Sequence, residues 1–388
     1  MKSVWKLVGS VALVGTMAVG MAAERAPASQ ARLAPAGTAT AGAAVPPLDG
    51  AALQKAISGL PESQTTAALA QVSGPAGRWS GAAGVADLAG GRPASTGDAF
   101  RIGSVSKVFV ATVVLQLAAE HRVGLDQPVQ DYLPGLLPAG DPPVTVAELL
   151  NYTSGLGQAD GTVDSGDPAW FLAHRLDKYT TGQLLGNVLS EPVIAPGSVQ
   201  QYNGVDYLVL AMLIQKVTGH DYAYEIQQRI LRPLGLQHTF VPAGPAIPGP
   251  HLHGYYPAVS GTGLVDISEQ NPSLYGAQGD MISTACDLNT FMIALLSGRL
   301  LPQAELTDML TIPPAATGPV QYGMGLLRYT LPDGTVLWGM TGETPGYASA
   351  VFSTQDHSRA LAFAFTPVGQ PSSSQVLASE ISIAMAAY

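Results

Sequence analysis

The chain has 388 residues, of which 47% are hydrophobic and only 12% are charged, and its net charge is −10. This composition excludes a largely disordered chain, and the acidic balance argues against nucleic acid or an anionic membrane surface as the main partner. The single cysteine, Cys286, excludes an internal disulfide and a cysteine-rich zinc site.

The N-terminal residues have the pattern of a secretory signal. Lys2 and Lys6 precede an apolar stretch from Leu7 to Ala23, and small residues follow. We expect residues 1–23 to be a signal peptide, with an uncleaved anchor as the alternative. Residues 24–47, rich in Ala, Pro, Thr and Gly, predict a disordered linker. The protein is therefore expected to be secreted or extracytoplasmic, with no stable membrane partner after cleavage.

The rest of the chain predicts strands at both ends and helices between them. A helix is expected over 48–59, strands over 66–72 and 78–88, helices through 104–298, strands over 325–331, 335–340, 347–353 and 359–366, and a closing helix over 374–387. Asp333-Gly334 is a hairpin signal. We predict an α+β fold, with an antiparallel sheet flanked by N- and C-terminal helices and an inserted, mainly helical lobe. The α/β lobe would comprise about 48–103 and 320–388, and the helical lobe about 104–319, together forming one catalytic domain over 48–388.

Ser104 and Lys107 are the first candidates for chemistry. They precede an apolar run, so Ser104 would stand at a helix start and Lys107 one turn later on the same face. A serine hydroxyl needs a base to become a nucleophile, and a lysine can serve if burial lowers its pKa. The alternative is a helix cap and a solvated charge. Because Lys107 is followed by Val-Phe-Val on a very apolar helix, we favour the catalytic interpretation.

The surroundings of this pair resemble the class C β-lactamase and serine D-alanyl-D-alanine carboxypeptidase family. The resemblance covers roughly residues 48–385 and is closest to exported D-Ala-D-Ala carboxypeptidases. It rests on Phe100–Ser104 with Val113–Leu117, Leu125–Val129, Val144–Leu156 (with Tyr152 in place of a histidine), Pro196–Tyr202, Val217–Gly219 and Gly279–Leu288. It implies a β-lactamase/penicillin-binding-protein-like fold and three active-site motifs, of which the first, Ser-x-x-Lys, is intact.

The second motif of the family, Tyr-x-Asn, is altered. The chain has Tyr202-Asn203-Gly204, so the asparagine stands one position early. We keep Asn203 as a candidate substrate contact, although an extended backbone would turn its amide away from the cleft.

The third motif, Lys-Thr-Gly or His-Thr-Gly in the family, is Met340-Thr341-Gly342, followed by Glu343. Met340 supplies no hydrogen-bond donor. The two departures predict measurable ester cleavage, with turnover of peptides and β-lactams well below that of family members with both motifs intact.

The resemblance also implies a role for each matching residue. Ser104 Oγ would attack the scissile carbonyl, while Lys107 and Tyr202 move the proton. The backbone N–H groups of Ser104 and Glu343 would form an oxyanion hole. The strand edge Thr341–Glu343 would pair with an extended substrate.

The expected function is an exported serine hydrolase that forms an acyl-enzyme, most similar to a D-alanyl-D-alanine carboxypeptidase acting on cell-wall-type peptides. The alternatives are an esterase, β-lactamase or acyltransferase relative, and a non-catalytic penicillin- or cell-wall-binding protein. The substrate would be a small peptide, ester or β-lactam, and the protein is expected to be a monomer. No cofactor and no metal are expected, since His251 and His253 have no acidic neighbour in sequence.

Overall fold

The computed structural model describes residues 46–60, 65–159, 167–260, 262–318, 320–331, 333–369 and 373–388. The predicted signal peptide and nearly all of the predicted linker lie outside these residues. Across the described part of the chain, no helix is both long and apolar enough to cross a membrane.

The strands follow the sequence prediction closely at both ends of the chain. They are β1 (Thr65–Ser73), β2 (Trp79–Asp87), β3 (Arg92–Pro93), β4 (Phe100–Arg101), β5 (Tyr255–Pro257), β6 (Leu264–Asp266), β7 (Ile282–Ser283), β8 (Val320–Tyr322), β9 (Leu327–Thr330), β10 (Val336–Thr344), β11 (Tyr347–Thr354) and β12 (Ala360–Pro367). The predicted Asp333-Gly334 turn joins β9 to β10, with Gly334 at a φ of 90° and Asp333 Oδ1 accepting the Thr335 amide.

The α-helices of the described residues lie mostly between β4 and β8. They are α1 (Gly50–Ser58), α2 (Ser106–Ala119), α3 (Val129–Tyr132), α4 (Val146–Leu150), α5 (Pro168–His174), α6 (Thr181–Leu185), α7 (Gly204–Thr218), α8 (Tyr222–Ile226), α9 (Arg232–Leu234), α10 (Ala285–Leu296), α11 (Gln303–Leu310) and α12 (Ser373–Ala387). Ten of these twelve described helices, α2 to α11, lie between β4 and β8, while α1 precedes β1 and α12 follows β12. A 3₁₀ turn, Gly103–Val105, leads into α2. Asp49 accepts backbone amides at the start of α1, and Gly219 ends α7 in the left-handed region.

One large antiparallel sheet organises the molecule, in the order β3-β2-β1-β12-β11-β10-β9-β8. β1 and β12 pair at its centre, from Thr65 opposite Pro367 to Ser73 opposite Ala360. α1 packs on β2 and against α12, while α10 packs on β1, β11 and β12. These features confirm the predicted α+β class with an antiparallel sheet flanked by the terminal helices.

The apolar helix α2 runs through the core next to the sheet. Eleven of its residues are buried, which is the arrangement expected of a helix that is hydrophobic on every side. It packs against α7, α8 and α11, and Phe109 stacks on Phe291 of α10 with ring centroids 3.8 Å apart. The N-terminus of α2 is thereby fixed beside strand β10, where the candidate residues meet.

Candidate active site

Ser104 lies in the 3₁₀ turn before α2, and Lys107 lies in the first turn of the helix. Lys107 Nζ donates to Ser104 Oγ at 3.0 Å and to the backbone carbonyl of Gln278 at 2.6 Å. The Lys107 side chain is only 2% exposed. The alternative of a solvated surface charge is therefore wrong. The neighbouring Ser106 is fully buried, and its hydroxyl accepts the Met281 amide, so Ser104 is the nucleophile candidate.

The electrostatic environment of Lys107 allows a sizeable neutral fraction of the amine near pH 7. Burial lowers the pKa of Lys107 to about 7, and the carboxyl of Asp206 opposes the shift. Asp206 is itself fully buried and accepts a hydrogen bond from Ser154 Oγ at 2.6 Å. Burial raises the pKa of Asp206 well above its ordinary range. At neutral pH a substantial fraction of Lys107 can therefore accept the proton of Ser104.

Tyr202 completes the group around the nucleophile. Its ring centroid lies 4.9 Å from Lys107 Nζ, and its buried hydroxyl is close enough to Ser104 to interact with the nucleophile hydroxyl. Burial raises the pKa of Tyr202 well above its ordinary value, with the Ser104 hydroxyl opposing, so the phenol remains protonated. Tyr152 and Tyr322 pack on the ring at centroid distances of 4.9 and 5.5 Å and fix its position.

Asn203 does not face the substrate cleft. Its Nδ2 donates to the carbonyls of Leu156 and Gly157, at 3.1 and 3.0 Å, and its Oδ1 accepts the Val205 amide at the start of α7. The side chain is 2% exposed and its hydrogen-bonding capacity is used within the fold. Asn203 is therefore a helix cap that anchors a loop, and its prediction as a substrate contact is corrected.

The backbone of β10 comes very close to the nucleophile turn. A Cβ on Gly342 would lie 2.0 Å from the Ile102 carbonyl and 3.0 Å from the Ser104 amide nitrogen. A Cβ on Gly103 would lie 2.7 Å from the Glu343 nitrogen. Only glycine allows this approach at both positions. It brings the backbone of Glu343 against the nucleophile turn, which is compatible with the oxyanion hole that the sequence resemblance implies.

The end of β10 has a free edge towards the cleft. β9 pairs with β10 only as far as Leu327 opposite Gly339, so residues 340–344 have no strand on that side. A two-residue turn, Pro345-Gly346, joins β10 to β11, so Thr344 and Tyr347 form the first hydrogen-bonded pair. Hydrogen-bonded and non-hydrogen-bonded pairs alternate along an antiparallel ladder, so the Glu343 amide points away from β11. This amide and the adjacent backbone are available to a bound substrate.

The side chains of β10 alternate between two environments. Met340 shares a face with Gly342, towards the nucleophile turn, and is 2% exposed. Thr341 is half-buried and Glu343 is exposed, both on the other face. Loss of solvation still raises the pKa of the Glu343 carboxyl. Strand β10 thus has a buried thioether on the face of the nucleophile turn and no cation, while its acid on the other face is close enough to raise the pKa of Tyr202.

Two groups near the reaction centre were missed by the sequence analysis. Asp206 could have been noticed as an acid inside the apolar run of α7, where burial needs a reason. Gln278 carries no such signal, because its position depends on the packing of a distant 3₁₀ turn, Gly276–Gln278.

The two histidines considered for a metal lie away from these residues. Their rings stack with centroids 4.4 Å apart, and His253 Nδ1 lies 2.6 Å from a carboxylate oxygen of Asp266. The described part of the chain contains no group of three or more His, Cys, Asp or Glu that could hold a metal ion.

The family model described as beta-lactamase matches residues 53–384. This chain belongs to the beta-lactamase family. The resemblance seen in the sequence is thereby confirmed, and the chain is a serine hydrolase of the β-lactamase and penicillin-binding-protein fold.

Similar proteins include both penicillin-binding proteins and amidases. Penicillin-binding protein 4* of Bacillus subtilis is 28% identical over 296 residues, 72% of this chain and 63% of that protein, so the chain spans somewhat less than two thirds of this relative. A D-stereospecific amidohydrolase from Streptomyces sp. is 35% identical with a TM-score of 0.73, over 86% of this chain and 98% of that structure. A D-amino acid amidase from Ochrobactrum anthropi SV3 is 26% identical with a TM-score of 0.74, over 87% and 98%.

Proposed function

We propose that this protein is an extracytoplasmic hydrolase that cleaves amides and esters of D-amino acids through an acyl-enzyme on Ser104. The observation that supports the proposal is the composition of strand β10, which has a thioether at Met340, a carboxylate at Glu343 and no cation. The similarity to a D-stereospecific amidohydrolase and a D-amino acid amidase supports the choice of D-configured substrates.

The reaction follows from the protonation states of the site. Neutral Lys107 takes the proton of Ser104 as Oγ attacks the carbonyl carbon, and the Ser104 and Glu343 amides stabilise the oxyanion. Tyr202, which remains protonated, is placed to give a proton to the departing nitrogen or oxygen and is reprotonated from Lys107. Water then attacks the acyl-enzyme by the reverse proton path, which releases the acid and restores Ser104.

The charge of the cleft favours an amino group over a terminal carboxylate. Glu343 and the buried Glu380 of α12 are close enough for Glu343 to raise the pKa of Glu380 further, beyond the effect of its burial. A second anion about 5 Å from such a carboxylate would be disfavoured by about 1–3 kcal/mol, whereas an ammonium would be attracted. A substrate with a free amino group therefore fits this edge better than one ending in a carboxylate.

The second candidate is the D-alanyl-D-alanine carboxypeptidase activity that the sequence resemblance implies. The intact Ser104, Lys107 and Tyr202 set and the similarity to penicillin-binding protein 4* support it. Its substrates end in a carboxylate, for which β10 offers no cation. We place it second for that reason.

A substrate series separates the two candidates. The rates to compare are kcat/KM for D-phenylalanine amide and D-phenylalanine methyl ester, and for the N-acetyl form and the L-enantiomer of each. A diacetyl-L-lysyl-D-alanyl-D-alanine peptide represents the carboxypeptidase substrates. We expect the free-amine D-substrates to lead and the tripeptide to be slowest. The Glu343→Gln variant should narrow the preference for the free amine over its N-acetyl form. A wild-type preference for the tripeptide would overturn this assignment in favour of the carboxypeptidase.

A further inference from the structure

Gln278 fills the space that a side chain at position 204 would occupy. Gly204 is the first residue of α7 and stands two positions after Tyr202. A Cβ built on Gly204 would lie 1.7 Å from Gln278 Oε1 and 2.9 Å from its Cδ. Real Cβ atoms do not approach other atoms so closely, so the two side chains compete for one volume. The carboxamide in this volume is that of Gln278, and Gly204 contributes no side chain.

The backbone of Gln278 is fixed beside the base. Its carbonyl accepts the 2.6 Å hydrogen bond from Lys107 Nζ, and the next residue, Gly279, packs on Gly103. The Gln278 side chain is half-buried, and its carboxamide makes no hydrogen bond to any described residue. A carboxamide has two donors and an acceptor oxygen, and here they lie beside Gly204 on a residue whose backbone contacts Lys107.

We propose that the Gln278 carboxamide binds the nitrogen substituent on the α-carbon of the substrate's acyl residue. The carbonyl carbon under attack lies at Ser104 Oγ, and the α-carbon is one bond further on. A side chain that borders Lys107 and Gly204 is within reach of a group on that carbon. The amide can accept from an ammonium or pair with an acylamino group, so it orients the acyl residue. This inference deepens the proposed function but applies to any substrate with an α-nitrogen.

The test compares substrates with and without that nitrogen. In Gln278→Ala, kcat/KM for D-phenylalanine methyl ester should fall about 3- to 10-fold, the loss typical of one hydrogen bond. Methyl 3-phenylpropionate, which lacks the α-nitrogen, should lose less than about 2-fold. Gln303→Ala, on the exposed face of α11, is the matched control and should change neither rate.

The exchange between positions 204 and 278 supplies a second, independent readout. Gly204→Asn alone should lower activity, because the new side chain must displace the Gln278 amide. Combined with Gln278→Ala, the asparagine can enter the vacated volume, and the double variant should recover to within a few-fold of wild type on the amino ester. The pH midpoint of kcat/KM should be the same in wild type and Gln278→Ala, since Lys107 is held by the backbone carbonyl.

Three results would overturn this inference. They are an equal loss on both esters in Gln278→Ala, a shifted pH midpoint in that variant, and a double variant no better than the worse single variant. The proposed preference for free-amine substrates can fail separately, because N-acetyl-D-phenylalanine methyl ester also has a nitrogen on its α-carbon and its cleavage should also depend on Gln278. If wild-type protein cleaved none of these esters, both proposals would fall.

Discussion

Burial decides the protonation of Lys107 and with it the pH dependence of the enzyme. An amine with a pKa near 7 becomes a base as the pH rises through neutrality, so kcat/KM should increase with pH up to about 8 and fall on the acidic side. Lys107→Arg should lose nearly all activity, because arginine does not deprotonate in proteins. Rates of ester hydrolysis between pH 5 and 9 test both statements. An active Lys107→Arg variant would rule out a base role for this residue.

Asp206 tunes that pKa from within the same buried pocket. Its carboxyl raises the pKa of Lys107 against the effect of burial, so Asp206→Asn should move the acidic midpoint of kcat/KM to lower pH. The asparagine can still accept the Ser154 hydroxyl, which preserves the local packing. Asp308→Asn, on the surface of α11, is the control and should leave the midpoint unchanged. A midpoint that rises in Asp206→Asn would contradict the assigned direction.

The sequence predicts those residues whose spacing is local. Ser104 and Lys107 are three residues apart on one helix, and helix geometry alone brings them together. For Asn203 the sequence indicates that the amide turns away from the cleft. It does not indicate the hydrogen-bond partners Leu156 and Gly157, because these are far away in sequence. Gln278 could not be predicted, because its relation to Gly204 exists only after α7 has packed on the 3₁₀ turn before Gly279.

At the scale of elements, strand β10 is longer than its sequence indicates. The apolar pattern ends at Met340, but the strand continues to Thr344 because β11 pairs with every residue from Leu337 to Thr344. Polar residues and a glycine hide this extension from a pattern-based prediction. The part of the strand that the apolar pattern does not predict carries the Glu343 amide, so the pairing of two strands, rather than local propensity, positions one half of the proposed oxyanion hole.

The approach of β10 to the nucleophile turn can be tested with one methyl group. Gly342→Ala would set a Cβ 2.0 Å from the Ile102 carbonyl and force the strand away from Ser104. A displacement of about 1 Å at the reacting atoms can lower kcat about 100-fold. Gly97→Ala is the matched control, since its Cβ would meet nothing within 4 Å, and it should retain full activity. Circular dichroism would verify folding, and a fully active Gly342→Ala would contradict this geometry.

At the scale of the whole molecule, Arg359 ties both ends of the described chain to the sheet. The guanidinium donates to the carbonyls of Pro46, Ala76 and Ala387, and the side chain is 1% exposed. No sequence pattern indicates that residues near either end of the described chain are hydrogen-bond partners of Arg359. Terminal segments are often poorly ordered unless tied down, and this contact fixes both.

Replacing Arg359 should destabilise the fold while leaving the active-site residues unchanged. Arg359→Met leaves three carbonyls without their donor, and we expect the free energy of unfolding to fall by about 2–4 kcal/mol. Arg328→Met, on β9 with a single contact to Gln321, should change it by less than about 0.5 kcal/mol. Urea unfolding followed by fluorescence measures both. Equal effects of the two substitutions would show that Arg359 has no special structural role.

The pairing of β1 with β12 has a consequence for how the protein is made. The two central strands are separated by nearly the whole chain, so at about 5–20 residues per second roughly 15–60 s pass on the ribosome between their syntheses. During that time β1 has no partner on the side that β12 will occupy, and the serine turn exists without the strand that would complete the proposed oxyanion hole. Chain growth therefore finishes before the sheet can close. Catalytic competence arrives only with the last strands, in a single late step of folding.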